Sequence, residues 1–224
     1  MQDEILFRTI REKLFTAVIG DVMDVAGLTR QFLPPAIRSL VPDAMLVGRA
    51  MPVLEADCCG DRPGHNGLAE PFGLMFRALD DLKPREIYIT TGASPSYALW
   101  GGLMSTRAKT LGAAGAVLDG YHRDTREIRG LDFPVFSIGA YAQDQKIRGR
   151  VIDFRCTIAF RNGVEVSPGD LIVGDVDGVL VVPKDHVSDI VAKALAKVEG
   201  EGAVRQMILD GQSTQSIFDK TGIM

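Results

Sequence analysis

The sequence predicts a mixed α/β fold whose second half is rich in strands, and three features predict it. Up to about residue 140, β-branched or apolar runs alternate with helical stretches, the order that lays parallel strands in one sheet with crossovers between them. Between Val151 and Val182, short apolar runs are divided by Asn162-Gly163, Pro168-Gly169 and Asp177-Gly178; Asn-Gly between such runs is a strong hairpin signal. Beyond Pro183 the chain reads as one long helix, Lys184–Leu209.

Taken in order, Ile5, Leu6, Ile10, Leu14 and Phe15 recur at the spacing of an amphipathic helix over Asp3–Ala17. Thr16 or Gly20 opens a second short helix through Asp21–Ala26, and Pro34-Pro35 and Pro42 punctuate a loop. Ala44–Leu54 is apolar but for Arg49 and reads as a buried strand; Ala56–Asn66, with Cys, Gly, Pro and His65, reads as irregular. Pro71–Leu79 is expected to be a short helix, and Glu86–Thr91 a strand. A polar loop, Gly92–Ser96, then leads to a helix over Trp100–Leu111, entered through Gly101-Gly102 and ended by Gly112. Gly115–Asp119 is a strand, Thr125–Arg129 a helical turn and Pro134–Ile138 a strand. Strands are expected over Val151–Phe160, Val164–Val166, Asp170–Val173 and Gly178–Val182. In the long C-terminal helix Gly200 and Gly202 form an interruption, and Gln215–Lys220 is a last short helix. The expected organisation is a single domain over 1–224: N-terminal helices 1–30, an α/β core 44–182 and a helical arm 184–224.

Composition excludes several classes. Hydrophobic residues at 46% supply a sizeable core, so disorder is not expected. The net charge of −4 argues against a nucleic-acid binder driven by phosphate contacts. No basic segment followed by an apolar run opens the chain, and no apolar stretch has the length of a membrane span; the expected compartment is the cytoplasm. Cys58, Cys59 and Cys156 form no C-x-x-C and are read as reduced thiols.

The candidate chemistry lies at the carboxyl ends of strands, where open α/β sheets gather ligands. Arg123-Asp124 sets a permanently charged fork, suited to a carboxylate or enolate, beside an oxygen ligand suited to a divalent cation. Gly101-Gly102-Leu103-Met104 opens a helix, where backbone N–H groups and the helix dipole favour an anion. Each signal alone is weak: an isolated Arg-Asp is usually a solvated pair, and Gly-Gly is usually a tight turn. Their spacing adds weight. The twenty residues between Gly102 and Arg123 span one helix and one strand, a unit that returns the chain to the same sheet end, and Glu127 follows Asp124 with two residues between them. His122 is as readily structural as catalytic, Tyr97 and Trp100 are candidates for a cavity wall with core packing favoured for Trp100, and Asp175 and Asp177 read as turn chemistry.

The run GGLMSTRAKTLGAAGAVLDGYHRDTREI, followed by LDFPVFSIGAYAQD, VEVSPGDLIVGDVDGVLVVP and GEGAVRQMILDG, resembles the RraA-like family. The resemblance covers most of the chain from about Phe15 onward. It implies a three-layer α/β/β/α-type sandwich with a mixed sheet, a β-rich C-terminal half and a long C-terminal helix. The family contains aldolases for 4-hydroxy-4-methyl-2-oxoglutarate that also decarboxylate oxaloacetate, and regulators of ribonuclease E. For this chain the resemblance therefore implies a metal-dependent lyase that yields pyruvate from a keto acid. The second implied reading is a non-enzymatic regulator that binds a ribonuclease or helicase. Arg123 matches the family's substrate-binding arginine, and Asp124 the aspartate that anchors Mg2+ or Mn2+. Gly101, Gly102, Leu103 and Met104 match the loop whose amides hold the pyruvyl carboxylate. Glu201, with Glu199 second, matches the glutamate that joins the metal's water shell from a neighbouring subunit, since family members are trimers or hexamers. Glu127 completes the implied metal set. Gly102 departs from the pattern, because the aldolases carry a carboxylate there. A methyltransferase reading finds no glycine-rich nucleotide fingerprint.

Overall fold

A computed structural model describes residues 2–58 and 71–223. Two helices open the chain, α1 (Gln2–Lys13) and α2 (Thr16–Val25). They are separate rather than one run to Ala17 because Phe15 is extended (φ −143°). The carboxylate of Asp175 then accepts from both the N–H and the hydroxyl of Thr16, each at 2.7 Å, and starts α2.

The main sheet is built on β2 (Leu46–Asp57), the longest strand. Along one edge β2 pairs in parallel with β4 (Glu86–Thr91), which continues to β6 (Gly115–Leu118) and β8 (Val135–Ser137), also parallel. The short β1 (Arg38–Ser39) closes that side antiparallel to β8. Two antiparallel partners divide β2 between them. Its first half pairs with β13 (Leu171–Asp175), its second half with β10 (Gly149–Phe154). β13 in turn forms a tight hairpin with β14 (Gly178–Val182), and β10 carries the short β3 (Phe72–Gly73). A small parallel sheet, β5 (Ala98–Trp100), β7 (Tyr121–His122) and β9 (Gly139–Ala140), lies apart, and β11 (Ile158–Ala159) and β12 (Glu165–Val166) form a hairpin around Asn162-Gly163.

Alternation along these strands assigns each face. Ile87, Ile89, Val117 and Phe136 of the parallel leaf share one core with Ile172, Val179 and Val181 of the β13–β14 leaf. The alternate residues Leu171, Val173, Leu180 and Val182 instead face α1, α2 and the long helix α6 (Val187–Leu209). On the far face, Tyr88, Ala116, Leu118 and Val135 pack under α3 (Met75–Asp80), α4 (Gly102–Thr110) and α5 (Thr125–Gly130). Helices, leaf, leaf and helices follow in that order, the α/β/β/α sandwich expected, and α7 (Thr214–Thr221) ends the chain.

Four further details differ from expectation. The strand foreseen over Val151–Phe160 is split, because Arg155 takes a positive φ of 57° and its guanidinium turns back to Asp81 and Glu86. Pro71–Leu79 divides into β3 and α3, with Phe72 at φ 69°. Gly200 and Gly202 lie within α6 without breaking it, behind a single 3-10 turn, Lys184–His186. Of the loop expected over 56–66, Ala56 and Asp57 extend β2, whereas Cys59 and His65 lie outside the described residues.

Candidate active site

The crossover from β5 through α4 to β7 returns the chain to one end of the sheet, and there the two predicted motifs meet. Gly101 precedes α4 in an extended conformation, and the N–H of Gly102 donates to Asp124 Oδ2 at 3.0 Å. Asp124 stands at the start of α5 in the left-handed region (φ 59°), a conformation that Asp tolerates better than most side chains. The Arg123 N–H donates to the Trp100 carbonyl at 2.9 Å, which stitches the end of β7 to the end of β5. The N–H groups of Leu103 and Met104 fall in the first turn of α4, where no earlier helical carbonyl reaches them.

A side chain at either position of the entrance would meet a carboxylate that stands there now. A Cβ on Gly101 would come within 2.7 Å of Asp124 Oδ2, and one on Gly102 within 2.2 Å of Glu127 Oε2. The Glu127 carboxylate therefore occupies the space that a side chain at 102 would take.

Arg123 and Asp124 lie on the wall of a cavity of about 300 Å3. The guanidinium is shared between two carboxylates: Nε lies 3.7 Å from Asp124 Oδ2, and Nη1 lies 3.0 Å from Asp144 Oδ1. Gln145 joins the polar side, and α3 and β3 supply an apolar wall. Gly101, Leu103 and Met104 also line the cavity; Glu127 lines a shallower depression on the other side of Asp124. Glu201 is held within this chain by Lys197 at 3.2 Å, one turn away on α6, and is not among the cavity's lining residues.

Behind the cavity lies a carboxyl group that the sequence did not single out. Glu55, on the third residue from the end of β2, is 2% exposed and accepts from Gln145 Nε2 at 2.7 Å. Burial pushes its pKa up to about 8, with the nearby Asp57 charge adding to the rise and the Gln145 hydrogen bond opposing it. Glu55 Oε1 and the Tyr88 hydroxyl are both buried without a partner among the described residues. The available signal was a Glu directly after the apolar run Ala50–Leu54. Asp144 carried a weaker one: its loop follows β8 and β9 to the sheet end already marked by Gly120–Asp124.

The remaining candidates have structural roles. His122 is buried, with Nδ1 2.7 Å from the Ser137 hydroxyl and Nε2 3.0 Å from that of Thr125, and burial lowers its pKa. Trp100 packs against Tyr88 (ring centroids 4.9 Å apart) and donates to Ser105, while one face of it lines the cavity. Tyr97 donates to Asp57 at 2.7 Å instead of lining the cavity. Asp175 caps α2 and accepts from the Asp177 N–H at 2.9 Å, which is turn chemistry as expected.

A divalent ion is tested by the donors present. Among the described residues no group of three or more His, Cys, Asp or Glu side chains stands close enough to enclose a metal. Asp124 is a hard oxygen donor on the cavity wall, with Glu127 beside it across Gly102. That set fits an ion such as Mg2+, which keeps several waters and needs only one or two carboxylates, and does not fit a closed protein cage.

Comparison with known proteins agrees with this architecture. The chain is 34% identical over 210 residues to a Halalkalibacterium halodurans protein named "Putative 4-hydroxy-4-methyl-2-oxoglutarate aldolase", covering 93% of this chain and 91% of that one. A solved structure described under novel cellulases from microbes associated with the gut ecosystem superposes with a TM-score of 0.81 at 27% identity, covering 91% and 88% of the two chains. Streptomyces coelicolor RraAS2, described as an unusual member of the RNase ES inhibitor RraA family, shares the fold with a TM-score of 0.76 at 23% identity, covering 89% and 95%. The RraA-like (Aldolase/RraA) family model matches residues 16–181, and the chain is a member of the RraA-like family.

Proposed function

We propose that this chain is a divalent-metal-dependent lyase that releases pyruvate from a 4-hydroxy-2-oxo acid by retro-aldol cleavage, and that decarboxylates oxaloacetate through the same pyruvate enolate. The observation that carries the reading is the meeting of Arg123, Asp124 and the amide end of α4 on one cavity wall, with Asp124 tied to the Gly102 N–H. The name of the Halalkalibacterium relative supports the same reaction class.

The chemistry needs stabilisation for negative charge that develops on the keto oxygen as the C–C bond breaks. Arg123 is a permanent cation held in place by Asp144, so its fork is oriented before substrate arrives. The N–H groups of Leu103 and Met104, at the positive end of α4, receive the substrate carboxylate. Asp124, with Glu127 and a Glu201 supplied by a neighbouring copy in a trimer or hexamer, would hold a divalent ion. When bound, a Mg2+ or Mn2+ ion adds Lewis-acid stabilisation of the enolate charge. In retro-aldol cleavage the 4-hydroxyl gives its proton to a cavity carboxylate, directly or through water. The C3–C4 pair of electrons then becomes the enolate, which takes a proton at C3 to give pyruvate. In oxaloacetate, carbon dioxide leaves in place of the aldehyde or ketone.

The test is pyruvate release from oxaloacetate and from 4-hydroxy-4-methyl-2-oxoglutarate, with magnesium and then with EDTA. Release that EDTA abolishes is expected for at least one of the two. Release that survives complete chelation would remove the metal from the reading. No release from either acid would leave a lyase for a different keto acid or a binding protein on an enzyme scaffold, and would move weight to the second.

A further inference from the structure

The cavity has two chemically different sides. Arg123 and the carboxylates of Asp124 and Asp144 make up the charged side, with Gln145 adjoining. The wall from β3, α3, β5 and α4 is hydrocarbon and thioether: Phe72, Met75, Phe76, Leu79, Leu99 and Met104. Met75, Leu79 and Leu99 are buried and fixed in the core, so this wall is a built surface. Phe72 and Phe76 meet edge to face, with centroids 5.4 Å apart, and Phe76, 57% exposed, forms the lip with Leu103, 82% exposed. A ligand that covers these two side chains removes their apolar surface from water.

The wall decides which end of a substrate goes where. One carboxylate is satisfied by Arg123 and the α4 amides. A second carboxylate pressed on the wall would lose hydration without gaining a donor there, and among the described lining residues the one guanidinium already faces two protein carboxylates. An alkyl or aryl group in the same place gains from burial.

Resting on the lyase reading above, we propose that the preferred substrate is a 4-hydroxy-2-oxo acid with a single carboxylate and an apolar alkyl or aryl group at C4, seated against the Phe72–Leu79 wall. Cleavage breaks the C3–C4 bond. The C4 hydroxyl loses its proton and becomes the carbonyl of an apolar aldehyde or ketone, and the enolate, protonated at C3, leaves as pyruvate. The cavity of about 300 Å3 is at the small end of ligand sites and suits an acid of this size.

Two measurements on the full chain test this separately from the lyase reading. Calorimetric titration compares two acids that lack the 4-hydroxyl and are not cleaved, 2-oxo-4-phenylbutanoate and 2-oxoglutarate. The phenyl acid is expected to bind at least about tenfold more tightly, and Phe76→Ala to narrow that ratio. Equal binding, or tighter binding of 2-oxoglutarate, overturns the proposal. Pyruvate release is then compared between 4-hydroxy-2-oxo-4-phenylbutanoate and 4-hydroxy-4-methyl-2-oxoglutarate, with magnesium present. Faster release from the phenyl acid supports the proposal. Faster release from the diacid overturns the apolar substrate and leaves the lyase standing. No release from any 4-hydroxy-2-oxo acid overturns the lyase reading and the substrate with it, and the titration still reports which acid the wall selects.

Discussion

Arg123 faces Asp144 at 3.0 Å and Asp124 at 3.7 Å, and the side chains are partly open to solvent, so the pairs orient the guanidinium more than they stabilise the fold. Removing it is therefore expected to cost function and little else. Arg123→Ala is expected to abolish pyruvate release while the circular dichroism spectrum and urea midpoint stay at their native values; normal turnover by this variant would remove Arg123 from the site. Asp124→Asn isolates charge from geometry. Asn also tolerates the φ of 59° at this position, and its amide oxygen can accept from the Gly102 N–H. The variant is expected to lose turnover and weaken Mn2+ binding, read by the paramagnetic signal of the free ion. Undiminished Mn2+ binding would place the ion elsewhere.

At the scale of elements, the departure of the chain from β10 is held by one residue. Arg155 bonds Glu86 in bidentate fashion, Nη1 to Oε1 and Nη2 to Oε2, both at 2.8 Å, and its Nη2 also reaches the Asp81 carbonyl at 2.9 Å. This joins the end of β10 to the start of β4 and the end of α3, the helix that carries the apolar cavity wall. The Glu86 hydrogen bonds hold the guanidinium in its charged form. Arg155→Ala leaves the Glu86 carboxylate, mostly buried, without its cation. A loss of about 1–3 kcal/mol is expected for a charge-assisted pair of this kind, measured by urea unfolding. A loss within experimental error would mean that the pair is solvated in solution.

For the whole molecule, Glu55 sets a pH dependence. Its pKa is about 8 when folded against an ordinary 4.5. Below the ordinary value both states are protonated and the group makes no difference. As pH rises from there toward about 8, the unfolded chain releases a proton that the folded chain retains, so folding stability falls across that window and then levels off. Glu55→Gln removes this penalty. The variant is expected to be more stable than the native protein at neutral pH by a few kcal/mol, with the advantage shrinking toward pH 4.5. Parallel stability curves for the two proteins would contradict the buried, proton-holding Glu55. Because Glu55 holds Gln145 beside Asp144, the same substitution also tests whether the back of the cavity depends on this carboxyl.

Sequence alone determined whatever depends on local chemistry. Glu86–Thr91 was legible to the residue because it is a β-branched run bounded by polar residues, and the Asn162-Gly163 hairpin because the dipeptide favours that turn. The meeting of Gly102 with Asp124 was legible because a helix and strand between them must return to the same sheet end. Tertiary structure decided what is made by residues far apart in the chain. Strands β1, β3, β5, β7 and β9, of two or three residues each, are too short to carry a period and exist only through partners elsewhere. α2 is held at Thr16 by Asp175 from across the molecule, and β10 ends at Phe154 because Asp81 and Glu86 pull the next side chain, Arg155, back. The apolar cavity wall, Asp144 on Arg123 and Glu55 behind Gln145 belong to the same class. Propensity and periodicity act between neighbours in the chain, whereas burial, ion pairing and shifted proton affinity arise only when distant residues exclude water together.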